Sequence, residues 1–327
     1  MPGDALIGAR ARLAARLSAL GGDGLRIALA VSGGPDSLAL LALAAGAAPG
    51  RIHCATVDHG LRTEAADEAA MVATLCARLG VPHRTLAINL APGSAVQARA
   101  RDARYAVLAA WMREEGLDAL VTAHHADDQA ETLVMRLNRG AGLRGLAAMR
   151  PAATVPGAPS IPLLRPLLDW RRAELAELCR AAGIVPAQDP SNRDREYERV
   201  RVREGLSGAD WIDSAGLAAS ASRLAEADDA LEWAVDVEWR DVAQRPLEIS
   251  YSPRAPRAVR MRVLERIVAV IGSGNPRGSE IARWLDSLES GETATLAGVR
   301  AEGRESTWRF TKAPPHRANP ATDHQQR

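Results

Sequence analysis

Apolar and polar residues in the first 140 positions follow two patterns, one typical of helices and one typical of short buried strands. A helical pattern over residues 4–20 ends at two glycines, and an apolar run follows at residues 25–31. Further apolar runs occupy residues 52–57, 83–88 and 119–122, and further helical patterns occupy residues 64–79, 94–115 and 127–139. Strands that alternate with helices of this length form parallel sheets with helices on both faces. We therefore predict an α/β fold with a doubly wound, mostly parallel sheet.

The pattern changes after residue 140. Residues 140–166 are rich in glycine and proline and predict a loop with a hairpin, after which helices resume at Trp170. A helical pattern at 212–241 predicts a linker, followed by strands at 247–251, 294–299 and 308–311 and by helices at 257–271 and 280–288. We expect a first domain over residues 1–208, a helical linker and small α+β domain over 209–313, and a disordered tail over 314–327.

The composition is that of a soluble globular protein. Hydrophobic residues make up 47% of the 327 positions and charged residues 25%, and no segment has the roughly 20 consecutive apolar residues of a membrane helix. The N-terminus lacks the pattern of a secretory signal, so we expect a cytoplasmic protein without a membrane partner. The three cysteines, Cys54, Cys76 and Cys179, are too far apart to indicate a disulfide framework or a metal cluster.

Arginine dominates the basic residues. Of 41 basic residues all but Lys312 are arginine, which leaves no lysine in the body of the fold for a Walker-type phosphate site. The net charge of +1 says little about nucleic acid, because local potential attracts phosphate. Residues 136–172 contain seven arginines and one acid, and residues 254–277 contain six and one. Both stretches could follow an RNA backbone, although arginine-rich surfaces also serve solubility.

The first predicted strand is followed directly by Ser32-Gly33-Gly34-Pro35-Asp36-Ser37, and a helix is predicted to begin at Asp36. Glycines let backbone N–H groups approach phosphate oxygens, and the N-terminus of a helix adds a positive dipole. The serine hydroxyls can donate further hydrogen bonds, and Asp36 can hold the Mg²⁺ that accompanies a triphosphate. A capped strand-to-helix turn is the alternative, but it does not require six such residues in order.

This loop resembles the PP-loop of the ATP pyrophosphatase superfamily, in which Ser-Gly-Gly-x-Asp-Ser follows a strand. The resemblance implies an adenine nucleotide α-hydrolase-like fold, in which the residues from Ser32 to Ser37 bind ATP and Asp36 holds Mg²⁺. It also implies that ATP is cleaved to AMP and pyrophosphate while an oxygen nucleophile is adenylated. No tightly bound cofactor is expected. The loop alone does not select the substrate.

Later motifs resemble those of the tRNA-isoleucine lysidine synthetases, over about residues 20–205. They are Val57-Asp58-His59-Gly60-Leu61-Arg62, Ala103-Arg104-Tyr105, the stretches at 122–132 and 136–146, Arg165-Pro166-Leu167-Leu168 and Asp189-Pro190-Ser191-Asn192. One departure is visible, since Val200 stands in Arg199-Val200-Arg201-Val202-Arg203 where the family pattern has asparagine. This departure leaves the role of the asparagine open. The alternating arginines could meet RNA phosphates or pair with nearby acids of the same helix.

The resemblance implies a ligase that joins free lysine to C2 of the wobble cytidine of isoleucine tRNA with a CAU anticodon. The reaction passes through an adenylated cytidine, and the product, lysidine, changes codon specificity from AUG to AUA. Residues 1–208 are then the PP-loop catalytic domain, residues 209–313 contain the small tRNA-contacting domain, and Asp58 and His59 join the ATP site. The alternatives are a tRNA thiolase, which usually needs cysteine pairs, and a non-catalytic RNA-binding relative. The oligomeric state and the mode of tRNA docking stay open.

Acidic residues at the start of the helix at 127–139 suit a cationic nucleophile. Asp128 and Glu131 share a helix face, and Asp127 has Glu131 one turn away, so the spacing does not say which acid leads. We assign Asp128 and Glu131 to recognition or deprotonation of lysine as a hypothesis. A metal site with His124 and His125, or acids that only favour a helix start, are the alternatives.

His124 and His125 could protonate or orient groups at the adenylated base, because the pKa of histidine lies near 6.5. Either could instead be a packed core histidine. Arginines are the candidate tRNA contacts, and those around the glycines at 140–145 are preferred because they have no acids among them. The full set is Arg104, Arg136, Arg139, Arg144, Arg199, Arg201 and Arg203.

Overall fold

The chain folds into two compact units, residues 1–225 and residues 226–327. Short apolar runs form the strands at the centre of the first unit. The computed structural model describes residues 2–58, 64–88, 96–187, 195–304 and 306–314. The tail predicted at 314–327 lies outside the described residues except for its first position.

The first unit contains a six-stranded sheet in the order β3-β2-β1-β4-β6-β5. Its strands are β1 (Ile27–Ala30), β2 (Ile52–Asp58), β3 (His83–Ala87), β4 (Ala119–Val121), β5 (Ala152–Val155) and β6 (Ala158–Leu164). All neighbouring pairs are parallel except β5 and β6, which form an antiparallel hairpin. The predicted mostly parallel sheet is confirmed, as is the hairpin within residues 140–166.

Helices cover both faces of this sheet because side chains alternate along its strands. Ile27 and Leu29 face a core that includes residues of α1, α2, α3 and α7, and Ala28 faces a second core built largely from α4. The helices are α1 (Pro2–Ala19), α2 (Pro35–Ala47), α3 (Glu64–Leu79), α4 (Val96–Glu115), α5 (Ala126–Asn138), α6 (Leu143–Leu146), α7 (Arg172–Ala181) and α8 (Glu198–Gly208). The short α6 was not predicted.

The parallel order brings the ends of four strands to one edge of the sheet. The loop after β1, the end of β2, the segment between β4 and α5 and the segment after β6 all lie at this carboxyl edge. Val121 of β4 is paired with Leu164 of β6, so the residues that follow these two strands are neighbours. Ligands of open α/β sheets bind at such an edge.

The division between the units falls within α9 (Ser214–Trp239). The second unit has a five-stranded antiparallel sheet in the order β7-β8-β11-β10-β9, and no helix among the described residues has the length and apolar character needed to cross a membrane. Its other elements are β7 (Ala243–Arg245), β8 (Glu248–Tyr251), α10 (Arg257–Ile271), α11 (Gly278–Glu289), β9 (Thr293–Leu296), β10 (Val299–Glu302) and β11 (Trp308–Lys312).

The single strand predicted at 294–299 is wrong. Ala297 and Gly298 form a turn that divides this stretch between β9 and β10, and both residues have positive φ, 47° and 76°. Glycine adopts such angles readily, whereas alanine rarely does, so the apolar pattern gave no sign of the turn. The exposed strand β7 was also missed, because its residues show no apolar alternation.

Candidate functional site

The loop between β1 and α2 has the backbone shape that phosphate binding requires. Gly33 has a φ of 83°, which a residue with a side chain would adopt only under strain. The buried Ser37 Oγ donates a hydrogen bond to the Gly34 carbonyl at 3.0 Å and accepts one from the Ser32 backbone N–H at 3.2 Å. Pro35 is the first residue of α2, so the N-terminus of this helix adjoins the loop.

Asp36 has one carboxylate oxygen that is buried and has no hydrogen-bond partner, Oδ1. Its Oδ2 lies 3.4 Å from Nε2 of His125, at the start of α5. A buried carboxylate oxygen without a donor is unfavourable unless a cation meets it. The donor chemistry of Asp36 therefore fits a hard cation such as Mg²⁺.

His125 is fully buried among three carboxylates. Its ring nitrogens lie 3.4 Å from Asp36, 3.6 Å from Asp127 and 3.5 Å from Asp128. Burial lowers the pKa of His125, but hydrogen bonding to Asp36 and the charges of Asp128 and Asp36 outweigh burial, so the pKa is raised overall. His125 thus connects the start of α5 to the phosphate loop and is not a histidine packed among apolar side chains.

His124 has a different environment. Its Nδ1 is 2.9 Å from Oγ1 of Thr122. The pKa of His124 is lowered to about 4, chiefly by burial. The charge of Asp128 raises this pKa, whereas the charges of Arg165 and two other arginines lower it further. A lowered pKa favours the neutral imidazole, which can donate one hydrogen bond and accept another but is a weak acid.

The carboxylates of Asp128 and Glu131 are both paired with arginines of α8. Arg199 Nε donates to Glu131 Oε2 at 2.7 Å, and Arg203 Nε donates to Glu131 Oε1 at 2.7 Å. Arg199 also reaches Asp128 Oδ1 at 3.2 Å. Because Glu131 is only 2% exposed, this pairing is largely shielded from water. In this structure arginines occupy the position that the sequence analysis gave to lysine.

A pocket of about 350 Å³ opens beside these residues in the first unit. Three arginines and three acids line it, so its charges are balanced. The charged residues are Arg171, Arg172, Arg203, Asp127, Glu131 and Asp210. Asp128 is not among the lining residues. Asp127 accepts a hydrogen bond from the Arg172 backbone N–H at 2.8 Å. The Arg171 guanidinium lies 3.6 Å from Asp127 and 3.2 Å from Asp213, and the Arg172 guanidinium lies 3.9 Å from Glu131.

Most arginines predicted to contact tRNA have partners within the chain. Arg136 donates to the carbonyls of Gly145 and Ala148, which holds the loop after α5, and Arg139 pairs with Glu198. Arg201 donates to the backbone carbonyls of residues 195 and 196. Arg199 and Arg203 pair with the acids of α5. Arg104 lies on α4, and Arg144 lies on α6.

Four arginines at the site were not singled out from the sequence: Arg101, Arg165, Arg171 and Arg172. Arg165 belongs to one of the family motifs, but the sequence indicated no role for its side chain. Arg165 follows β6, Arg101 lies in the second turn of α4, and the other two precede and begin α7. No local signal distinguished them among 40 arginines, since only the fold brings them together. Of the predicted ATP site, Asp58 ends β2, whereas His59 lies outside the described residues. The motif at 189–192, which carries part of the family resemblance, also lies outside them.

Comparisons with known proteins identify the family of this chain. A family model described as a PP-loop domain matches residues 11–209. The tRNA(Ile)-lysidine synthase of Novosphingobium aromaticivorans is 55% identical over 323 residues, which are 98% of this chain and 99% of that protein. The tRNA(Ile)-lysidine synthase of Zymomonas mobilis is 41% identical and covers 89% of this chain and 90% of its own length.

Among solved structures, the U34-tRNA thiolase NcsA from Methanococcus maripaludis is similar with a TM-score of 0.54. It is 17% identical and covers 68% of this chain and 78% of its own, a likeness that shows the fold alone. The match to the Novosphingobium aromaticivorans protein extends over nearly the whole chain. The chain therefore belongs to the family of tRNA(Ile)-lysidine synthases, which are ATP-dependent ligases.

Proposed function

We propose that this enzyme joins free lysine to C2 of the wobble cytidine of isoleucine tRNA with a CAU anticodon. ATP adenylates the base with release of pyrophosphate, and the lysine ε-amine then displaces AMP and forms lysidine. The codon specificity of the tRNA changes from AUG to AUA. The observation that carries this proposal is the 55% identity, over 98% of the chain, to a protein named tRNA(Ile)-lysidine synthase.

For the first step, the phosphate loop supplies hydrogen-bond donors for the β- and γ-phosphates. These are the backbone N–H groups around Gly33 and Gly34, the hydroxyl of Ser32 and, once its proton turns away from the Gly34 carbonyl, the hydroxyl of Ser37. Asp58 and His59 complete the ATP site in this proposal. Mg²⁺ bound at Asp36 would neutralise charge on the departing pyrophosphate. The side chain of His125 contacts that of Asp36. This contact supports a role for His125 as a positioning group that orients Asp36.

For the second step, the balanced charges of the pocket suit a free amino acid. A zwitterion presents a carboxylate that Arg171 or Arg172 can bind, and lysine adds an ammonium group that the acids of α5 can attract. One imidazole ring, that of His125, separates Asp127 at the pocket from Asp36 at the phosphate loop. A lysine in the pocket therefore lies within reach of the nucleotide that the loop would activate.

RNA binding is assigned chiefly to arginines of the first unit. The proposed contacts are Arg104, Arg136, Arg139, Arg144, Arg199, Arg201 and Arg203. Residues 1–208 form the catalytic domain in this proposal, and the basic helix α10 makes residues 209–313 a candidate tRNA-contacting region. Because several of these arginines have partners within the chain, we expect RNA phosphates to compete with those partners.

Incorporation of lysine tests the function directly. With ATP, isotopically labelled lysine and isoleucine tRNA with a CAU anticodon, we expect label in the tRNA and one AMP released for each lysine incorporated. A tRNA with the wobble cytidine replaced by uridine is the matched control and should accept no label. Modification that proceeds without lysine but requires a sulfur donor would contradict the proposal and favour a thiolase.

The acids of α5 should differ in their effects on lysine. Asp128→Ala should raise the lysine KM by about tenfold or abolish turnover, because removal of a close charge partner costs on the order of 1–3 kcal/mol, while ATP still binds. Asp127→Ala is compared in the same assay, since Asp127 lines the pocket and Asp128 does not. The larger increase in the lysine KM identifies the acid nearer the ammonium group, and unchanged kinetics for both variants would remove lysine recognition from Asp127 and Asp128.

A further inference from the structure

Arg165 carries a buried charge that no carboxylate neutralises. The residue is 8% exposed, and among the described residues it forms no ion pair. Its Nη1 donates to the Arg150 carbonyl at 2.8 Å, and Nε is buried without a hydrogen-bond partner. Burial lowers the pKa of Arg165, while the neighbouring Tyr105 opposes this effect and Arg101 adds to it. The site is therefore electrically incomplete within the described chain.

Two further arginines lie on the second and third turns of α4, near Tyr105. Arg101 and Arg104 are both exposed, and they are three positions apart, so they share a face of the helix. The guanidinium carbon of Arg101 lies 5.1 Å from the centroid of the Tyr105 ring. Desolvation and the charge of Arg101 lower the pKa of Arg104 against the influence of Tyr105. The three arginines thus lie around Tyr105: Arg165 is buried, Arg101 is exposed, and Arg104 is exposed but partly desolvated.

The position of this group points to the reacting nucleotide. Arg165 directly follows β6, and His124 lies three residues after β4, whose last residue is paired with the last residue of β6. Arg101 and Arg165 are both close enough to lower the pKa of His124. The arginines therefore lie at the carboxyl edge of the sheet, next to the segment that connects to the phosphate loop through His125.

A buried guanidinium is unfavourable without an anion, and like charges that converge increase this cost. Arginine binds phosphate through parallel N–H donors, for which the unpartnered Nε is suited. The phosphate loop already provides donors for ATP, whereas the exposed arginines of α4 can receive a ligand that arrives from solvent. We propose that Arg165, together with Arg101 and Arg104, binds a backbone phosphate of the RNA beside the target base. This inference rests on the proposed function, because it takes tRNA as the substrate.

The test of this site measures the Kd of tRNA and the Kd of ATP in separate titrations. Arg101→Gln and Arg104→Gln, at exposed positions that should not disturb folding, are expected to raise the tRNA Kd about tenfold each and to reduce the slope of log Kd against log salt by about 1. The Kd of ATP measured without RNA should stay unchanged. Arg165→Lys keeps the charge but loses the planar donors, and it should weaken tRNA binding with a Tm close to that of the parent enzyme.

Arg113→Gln is the matched control, because Arg113 is exposed at the far end of α4. It should leave the tRNA Kd and its salt dependence unchanged. A raised ATP Kd with unchanged tRNA binding would assign the site to ATP and overturn the proposal, as would equal effects of Arg113→Gln and Arg101→Gln. The titrations need no turnover, so a parent enzyme that binds tRNA through these arginines but incorporates no lysine would contradict the proposed function alone.

Discussion

Replacement of Asp36 by asparagine should reduce ATP-dependent release of AMP by on the order of 10³-fold, with binding of tRNA preserved. A metal ion supplies several kcal/mol of charge stabilisation to a departing phosphate, and each 1.36 kcal/mol corresponds to a factor of ten in rate. Asparagine keeps the shape of the side chain but removes the charge that Oδ1 presents without a hydrogen-bond partner. The measurement is pyrophosphate and AMP formation under single-turnover conditions, with tRNA binding followed in parallel.

Asp4→Asn is the control, because Asp4 also lies in the first turn of a helix but is far from the phosphate loop in sequence. If Asp36 only favoured the start of α2, both variants would lose at most about 1 kcal/mol of stability and keep full activity. Raising the Mg²⁺ concentration should recover part of the activity of Asp36→Asn if the residue holds the metal. Equal activities of the two variants would exclude a role for Asp36 in ATP cleavage.

The parts of the fold and site that the sequence predicted are those whose signals are local. The phosphate loop is contiguous, so its glycines, hydroxyls and carboxylate could be recognised together, and the structure places them at the junction of β1 and the first turn of α2. Helix α3 was predicted with its observed bounds because its apolar residues recur with helical spacing. The parallel sheet followed from the alternation of such segments.

The remainder depends on contacts between residues distant in the chain. Glu131 meets arginines about 70 positions away, and Arg165 comes beside Arg101 only because β6 and α4 pack together. A charged residue has the same local pattern whether it faces RNA or an internal partner, so the arginines of α8 could not be assigned from spacing. The turn at Ala297 was missed for a related reason, since only the folded chain requires positive φ there.

Replacement of Glu131 by glutamine tests whether this residue only holds an internal ion pair or also recognises lysine. Glu131→Gln leaves Arg199 and Arg203 without their carboxylate, and removal of one partner of a buried pair costs about 3–5 kcal/mol. Because the two arginines are 40% and 25% exposed, water can partly replace the lost charge. We therefore expect the free energy of unfolding to fall by about 3 kcal/mol, at the lower end of that range. Urea unfolding followed by circular dichroism measures it. Glu177→Gln, which breaks an exposed pair with Arg180, should cost at most about 1 kcal/mol.

The double variant Glu131→Gln with Arg199→Gln separates the two roles. If Glu131 serves only to hold α8 against α5, removal of both charges should restore part of the stability, and the lysine KM should recover with it. If Glu131 also attracts the ammonium group of lysine, stability should recover while the lysine KM stays raised, because Arg199→Gln provides no substitute for the lost carboxylate. A lysine KM that is unchanged in Glu131→Gln, with stability lost, would leave Glu131 as an ion-pair partner alone. Lysine recognition would then fall to Asp127 or Asp128, whose carboxylates lie on the same turn of α5 beside His125.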